Sequence, residues 1–357
     1  LYAYNVQVAL NGTVSVSAAN SKAGGFAGSI SGNSSTGLCA VSFGGTGLVS
    51  APSGAAAGFS GSLSGSAEND SVYFTAAGGS VSGGSAAGFA ISQTGTVSSS
   101  GVTGTGAITA SSGSAAGFVG TANGNLSLCI VSPVLSNSSN LRTAYLAGAN
   151  TGLTVSGPSA SGFASVTDAK AQLTNCAALG TVTGTTAGAG FVGVNGGRAE
   201  ACTANTLLGG ARTAGFAAVN NGTLLNSYAW YDTTDSTPAA NGFVGAGTGS
   251  VSGCYCAPLR LDAAALFGAD GQTCSTCYGL TAQETAPANT QQGVAFMTYE
   301  DFASVAPKTL DGSGADWANS NSAAKYPYSA SCVTYPFPML QSLPQYGNWV
   351  TVKQYAC

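Results

Sequence analysis

The sequence predicts an all-β chain wound into an elongated β-solenoid of about eight coils, followed by a small, disulfide-rich mixed cap. Three observations lead there. First, a Gly-Phe pair recurs at Gly25-Phe26, Gly58-Phe59, Gly88-Phe89, Gly117-Phe118, Gly162-Phe163, Gly190-Phe191, Gly215-Phe216 and Gly242-Phe243. Successive Phe residues lie 33, 30, 29, 45, 28, 25 and 27 positions apart, a period that marks solenoids and arrays. Second, further columns keep the same phase. Gly stands six residues after the Phe at Gly95, Gly124, Gly197, Gly222 and Gly249, and an apolar residue follows two later (Val97, Leu126, Ala199, Leu224, Val251). Eleven residues after the Phe comes Cys129, Cys202, Ser227 or Cys254. Third, apolar residues within a unit are spaced by two rather than 3.6, and each interior Gly costs a helix about 1 kcal/mol relative to Ala.

Composition narrows the class. Only 6% of the 357 residues are charged, against about 25% in an average soluble protein. Between Leu1 and Val166 the charged residues are Lys22, Glu68, Asp70 and Arg142. A net charge of −4 with so few Lys or Arg gives no basic footprint for nucleic acid. No run of apolar residues approaches the ~18 of a membrane span. Ten cysteines and no His, in a chain rich in Ser and Thr, fit an oxidising extracellular setting. Leu1 is not a natural start, so processing or trimming before it is expected.

Taken in order, residues 1–21 read as cap strands or an atypical first coil. Tyr2 to Leu10 alternate, Asn11-Gly12 marks a turn, and Thr13 to Ser17 alternate again. Residues 22–257 are the repeats. In one of them Gly215 to Val219 is a strand, Asn220-Asn221-Gly222 a turn, and Thr223 to Ala229 the next strand. Stacking such units at about 4.8 Å buries what one unit cannot, so Phe26, Phe59, Phe89, Phe118, Phe163, Phe191, Phe216 and Phe243 are expected to form one core stack. The Gly residues are expected to supply turn dihedrals. The 45-residue unit carries an excursion over 136–150. Phe26 and Phe163 reach Cys39 and Cys176 at thirteen residues rather than eleven, which a two-residue bulge would explain.

These residues resemble a known family. Gly242-Phe243-Val244-Gly245 with Gly249-Ser250-Val251-Ser252-Gly253-Cys254-Tyr255, and Gly215-Phe216 with Asn226-Ser227-Tyr228-Ala229, are similar to the GLUG-type repeats of bacterial surface proteins. The match is close over 160–257 and looser over 22–159, where Asn and Tyr are mostly lost. The resemblance implies a β-solenoid in a secreted or wall-attached protein, and implies no catalytic residues.

After Pro258 the composition changes, and residues 258–357 are expected to form a Cys- and aromatic-rich module. Leu261 to Phe267 suggests a short helix, and Thr298-Tyr299-Glu300-Asp301 resembles a capping box. The end, from Lys325-Tyr326-Pro327-Tyr328 to Tyr346-Gly347-Asn348-Trp349, resembles the closing segment of Gram-positive repeat-bearing surface proteins with a type IV pilin-like N-terminus. That family often has His before the Tyr-Gly and Asp after it, where this chain has Gln345 and Asn348.

Candidate sites follow from the cysteines. Equivalent Cα atoms in stacked coils lie about 4.8 Å apart, within disulfide range, so Cys176 and Cys202 are candidates to pair, the alternative being two buried thiols. Cys129 competes for Cys176, whereas Cys39 is too far from Cys129 to pair with it. Cys254, Cys256, Cys274 and Cys277 have a spacing that could hold zinc, but with Cys332 and Cys357 in the same module disulfides are the better reading, Cys357 tied to Cys332. No cofactor is expected. Without His, Ser-His and Cys-His nucleophiles are excluded. The close acidic pairs Asp232 with Asp235, and Glu300 with Asp301, read as a loop and a helix start. Asn-x-Ser/Thr sequons stand at Asn11, Asn33, Asn69, Asn125, Asn137 and Asn221. The expectation is a non-enzymatic, cell-surface structural protein, pilus- or fibre-like, that self-associates or joins other appendage subunits. The alternatives are an adhesin for glycan or host protein and, less favoured, a polysaccharide-active β-helix enzyme.

Overall fold

The computed structural model describes residues 2–15, 20–75, 78–133, 152–233, 242–258, 267–268, 271–281, 291–298 and 301–302, together with the backbone of 317–318, 327–329, 332–335, 339–340 and 350–353. The chain is wound into a β-solenoid with three sides. The Phe side is a ladder of eight strands, from Ala27–Ile30 to Val244–Ala246. The short side is a ladder of ten, from Tyr2–Tyr4 to Thr273–Ser275. The long side gathers nineteen strand segments, from Gln7–Leu10 to Val294–Thr298. Coils pair in parallel and in register, Ala67 against Val97, Val97 against Leu126, and Leu224 against Val251. Ten strands at the usual spacing make the short side about 43 Å long.

The core is one continuous column of rings. Phe26, Phe59, Phe89, Phe118, Phe163, Phe191, Phe216 and Phe243 stack in order, and Phe267 extends the column. Ring centroids are 4.7–5.2 Å apart, a distance set by the pitch of the coils. Each Phe carbonyl accepts two amides from the coil before it. Phe118 accepts from Phe89 at 2.8 Å and from Ala90 at 3.1 Å.

Some glycines supply the turn dihedrals expected of them, among them Gly104, Gly180, Gly210, Gly242 and Gly247, but those in the two repeating columns mostly do a different job. Gly88 and Gly117 have ordinary φ; what excludes a side chain is the neighbouring coil, because a Cβ would land on the carbonyl oxygen of Gly117 or Gly162 respectively. The column of Gly65, Gly95, Gly124, Gly197, Gly222 and Gly249 is crowded in the same way by the backbone of the coil before it. The left-handed conformation falls elsewhere, on the corner between the short and long sides. Asn5, Leu38, Asn69, Ser99, Leu128, Asn175, Ala201, Asn226, Gly253 and Thr276 all have φ between 48° and 63°. This corner divides what the sequence suggested was one strand: Thr223–Leu225 lies on the short side and Tyr228–Thr233 on the long side.

Other boundaries also move. Residues 2–15 form two sides of a first coil, since Tyr2–Tyr4 pairs with Ser35–Gly37 and Gln7–Leu10 with Ala40–Phe43. The extra two residues before Cys39 and Cys176 lie in turns at 31–34 and 168–171, between the Phe and short sides, and not in a bulged strand. The change of composition at Pro258 does not end the solenoid. Phe267, Thr273–Ser275, Cys277–Thr281 and Val294–Thr298 continue its column and ladders. Beyond them the described backbone pairs antiparallel, 327–329 with 332–335 and 332–335 with 350–353. Residues 259–266, where a helix was expected, lie outside the described residues.

Candidate functional site

Behind every one of the corners between the short and long sides except the first, at Asn5, stands one small interior residue. Along the solenoid these are Cys39, Asp70, Ser100, Cys129, Cys176, Cys202, Ser227, Cys254 and Cys277, all buried. The αL residue turns the chain, and the next side chain folds back onto the carbonyl two residues before it. Ser100 Oγ donates to Ser98 O at 2.9 Å, Ser227 Oγ to Leu225 O at 2.7 Å, and the Cys129 and Cys202 thiols to Ser127 O and Glu200 O at 3.3 Å. The same atom can accept an amide from the preceding coil: Asp70 N donates to Ser100 Oγ at 3.1 Å, Cys202 N to Ser227 Oγ at 3.1 Å and Ser227 N to Cys254 Sγ at 3.4 Å. The column therefore selects a short side chain able both to donate and to accept. Cys, Ser and, with help, Asp meet that need.

The cysteines act as corner clips. Cys39, Cys129, Cys176, Cys202, Cys254, Cys256, Cys274 and Cys277 are free thiols in the structure, so Cys176 and Cys202 stand in adjacent coils without the bridge considered above. Burial pushes the thiols of Cys129 and Cys176 well up, and that of Cys254 up to about 12. Among the described residues no group of three metal-capable side chains converges. Cys256 faces the interior of the long side, where its partner is Tyr231. The Cys332 and Cys357 side chains lie outside the described residues.

Asp70 is the charged member of the column. Its Oδ1 accepts the Cys39 amide at 2.7 Å and its Oδ2 the Thr36 hydroxyl. Thr36 is the polar exception in the short-side interior, so two exceptions satisfy each other. Burial still dominates and raises the Asp70 pKa above the usual carboxylate value, against the lowering effect of those hydrogen bonds.

A second polar column runs along the end of the Phe side. Thr167 Oγ1 donates to Asn195 Oδ1 at 2.7 Å, Asn195 Nδ2 to Asn220 Oδ1 at 2.8 Å, and Asn220 Nδ2 to Gln272 Oε1 at 2.9 Å. Sequence reasoning placed Asn220 in a turn and missed this ladder. Its signal was the Asn four residues after both Phe191 and Phe216.

The third feature is on the outer face of the long side in the last coils. Tyr228 stacks on Tyr255 with centroids 5.2 Å apart, Trp230 lies 5.1 Å from Tyr228, and Trp230 Nε1 donates to the Tyr255 hydroxyl at 3.0 Å. Phe302 packs over Tyr255 and Tyr278 at 5.1 and 5.2 Å. The chain reaches it through the expected cap: Asp301 N donates to Thr298 Oγ1 at 3.1 Å, and Thr298 Oγ1 donates to Asp301 Oδ2 at 2.8 Å. The sequence signal for this face was a Tyr directly after the corner residue at 227, 254 and 277.

The remaining candidates are dispersed. Asp232 Oδ1 accepts the Thr233 amide at 2.8 Å, while Asp235 and Glu300 lie outside the described residues, as does the 136–150 excursion. Its flanks are fixed: Thr103 pairs with Ser132 and Gly106 with Leu153, so the insertion interrupts the long side at the level of Thr105. No helix among the described residues is long and apolar enough to cross a membrane. No family model matches the sequence, and neither curated proteins nor solved structures give a match.

Proposed function

We propose that this chain is an extracellular structural rod, a subunit or ectodomain of a bacterial cell-surface appendage, which self-associates or joins other appendage subunits. The observation that carries this reading is the unbroken column from Phe26 to Phe267. It makes length, and it joins every coil to the next through the same contact. The side chains of the corner column and the polar ladder are engaged in holding the winding. The corner thiols and hydroxyls bond to backbone, Asp70 bonds to Thr36 and Cys39, and Asn195 and Asn220 bond to one another. The GLUG-type repeat pattern and the composition support the surface location and the pilus- or fibre-like role.

A rod with nine Lys and Arg in 357 residues offers trypsin few sites, which suits an exposed location. Two measurements test the proposal together. Electron microscopy of the purified protein is expected to show rods or filaments, and trypsin is expected to leave the solenoid intact under native conditions. Isolated particles without elongation, or rapid tryptic loss of the folded coils, would overturn it. Glycan-array binding by a monomeric protein would move the assignment to an adhesin.

A further inference from the structure

Six of the eight described cysteines are corner clips, and Cys256 has Tyr231. Cys274 fits neither description. It stands in register with Val251 in the short-side interior, a position that is aliphatic at Val97, Leu126, Leu173 and Leu224. Among the described residues Thr273–Ser275 is the last strand of that side, and no further strand of the ladder covers it. Cys274 is half-buried as a result, where Val251 is fully buried. From the next coil, Gln291 Nε2 donates to the sulfur at 3.6 Å.

Three residues on, past the left-handed corner at Thr276, lies the buried Cys277. Its Sγ lies 3.3 Å from Ser275 O and 3.5 Å from Val251 O, the carbonyls of the residue after Cys274 and of its register partner, which sets it beside Cys274. Interaction between the two thiols lowers the Cys274 pKa and, with burial, raises that of Cys277. One sulfur is thus half-exposed at the end of the ladder, and its partner is enclosed beside it. Attack by an accessible thiolate, followed by resolution from an adjacent buried thiol, needs this asymmetry.

We propose that Cys274 and Cys277 form a thiol–disulfide exchange centre at the C-terminal end of the solenoid ladder, closed to an intrachain disulfide by a low-molecular-weight disulfide. The Cys274 thiolate attacks one sulfur of R–S–S–R, forming a mixed disulfide and releasing RS⁻, which takes up a proton. Cys277 then loses its proton to solvent, attacks Cys274 Sγ and expels the second RS⁻. Two protein thiols are oxidised to one disulfide, and one external disulfide is reduced to two thiols. The new bond spans the corner at Thr276 and clamps the coil that ends the short side.

The test uses the full chain, reduced, freed of reductant and incubated with oxidised glutathione at neutral pH. After alkylation and peptic digestion, mass spectrometry is expected to find the Cys274–Cys277 disulfide, with Cys129, Cys176 and Cys202 alkylated only after unfolding. The Cys277→Ser variant, conservative because Ser100 and Ser227 fill the same column in other coils, is expected to stop at a glutathione adduct on Cys274. The Cys274→Val variant, which copies Val97 and Val251, is expected to lose both products. Unmodified Cys274, a persistent adduct in the parent chain, or Cys274 bonded instead to Cys254, Cys332 or Cys357 would each overturn the proposal. The rod and the exchange centre fail separately, since filament formation reports only on the first.

Discussion

In the coils up to Val131, the position four residues after each Phe holds Ile30, Leu63, Gln93 or Ala122; in the coils after Leu153 it holds Thr167, Asn195 and Asn220, and then Gly247. The same backbone position is thus filled first mainly by apolar side chains and later by a hydrogen-bonded ladder. The corner column shifts less, from Cys39, Asp70, Ser100 and Cys129 in the early coils to Cys176, Cys202, Ser227, Cys254 and Cys277 afterwards. On the outer face of the long side, Tyr73 and Thr103 give way to Tyr228, Trp230, Tyr255 and Tyr278. Yet ring spacing is 4.7 Å between Phe59 and Phe89 and 4.8 Å between Phe163 and Phe191. The difference teaches which positions define the winding. Phe, the Gly before it and the αL corner hold the pitch. The positions between them need only be small enough, and satisfied if polar.

If that division is right, truncating the shared column should cost both halves alike. Phe118→Ala and Phe191→Ala are each expected to destabilise by about 3–5 kcal/mol, read as denaturant midpoints. A large cost in one half and none in the other would mean the column is not a common axis. Gly117→Ala and Gly190→Ala come next. Each new methyl meets a carbonyl of the following coil, at Gly162 and Gly215, with an expected loss of about 1–3 kcal/mol or more.

The polar ladder sharpens the contrast. Asn195→Ala strips a partner from both Thr167 and Asn220, so a loss of about 1–3 kcal/mol is expected. Ala122→Gly, at the equivalent early position, removes no hydrogen bond and is expected to cost less. Equal losses would show that the ladder adds nothing beyond packing.

Asp70 gives the early coils a pH dependence that an all-thiol column lacks. Its pKa is raised on folding, so the folded chain binds this proton more tightly than the unfolded one. The resulting stabilisation is present below the unfolded value of about 3.9 and is lost as pH rises through the higher folded value. Relative to Asp70→Asn, the parent chain should therefore gain stability on going from neutral to acid pH. Urea midpoints at the two pH values check the sign, and a gain toward neutrality would refute the assignment. The smallest effect is expected at the corner. Leu128 sits at φ 54°, where a side chain costs about 1–2 kcal/mol, so Leu128→Gly is expected to raise stability by about 1 kcal/mol. The same substitution at Asn226, whose side chain tolerates αL, should change little.

Much of this architecture was legible before any coordinates. A ring every 25 to 45 residues, flanked by Gly in phase, states that something repeats, and an apolar spacing of two states that it repeats as strands. The coil at Phe267 was missed because Leu266 replaces the Gly that marks the other Phe residues. For Cys176 and Cys202 the sequence left a bridge and two buried thiols both open, because their spacing describes their stacking and not where their hydrogen bonds go; the structure holds them as free thiols. Ser100 and Ser227 in the same column were the available hint that the position asks for a donor and acceptor.

Sequence by itself determined the repeat, the interior stack and the near-absence of charge, since periodicity and composition are properties of the chain. Only the tertiary structure decided that the Gly before each Phe of the column from Phe26 to Phe216 yields to a neighbouring carbonyl, that the corner between the short and long sides is left-handed in every coil, and that Cys274 stands outside the corner column of the other thiols. Those facts arise between coils about 4.8 Å apart, from residues 17 or more positions distant along the chain, and local pattern carries no record of such contacts.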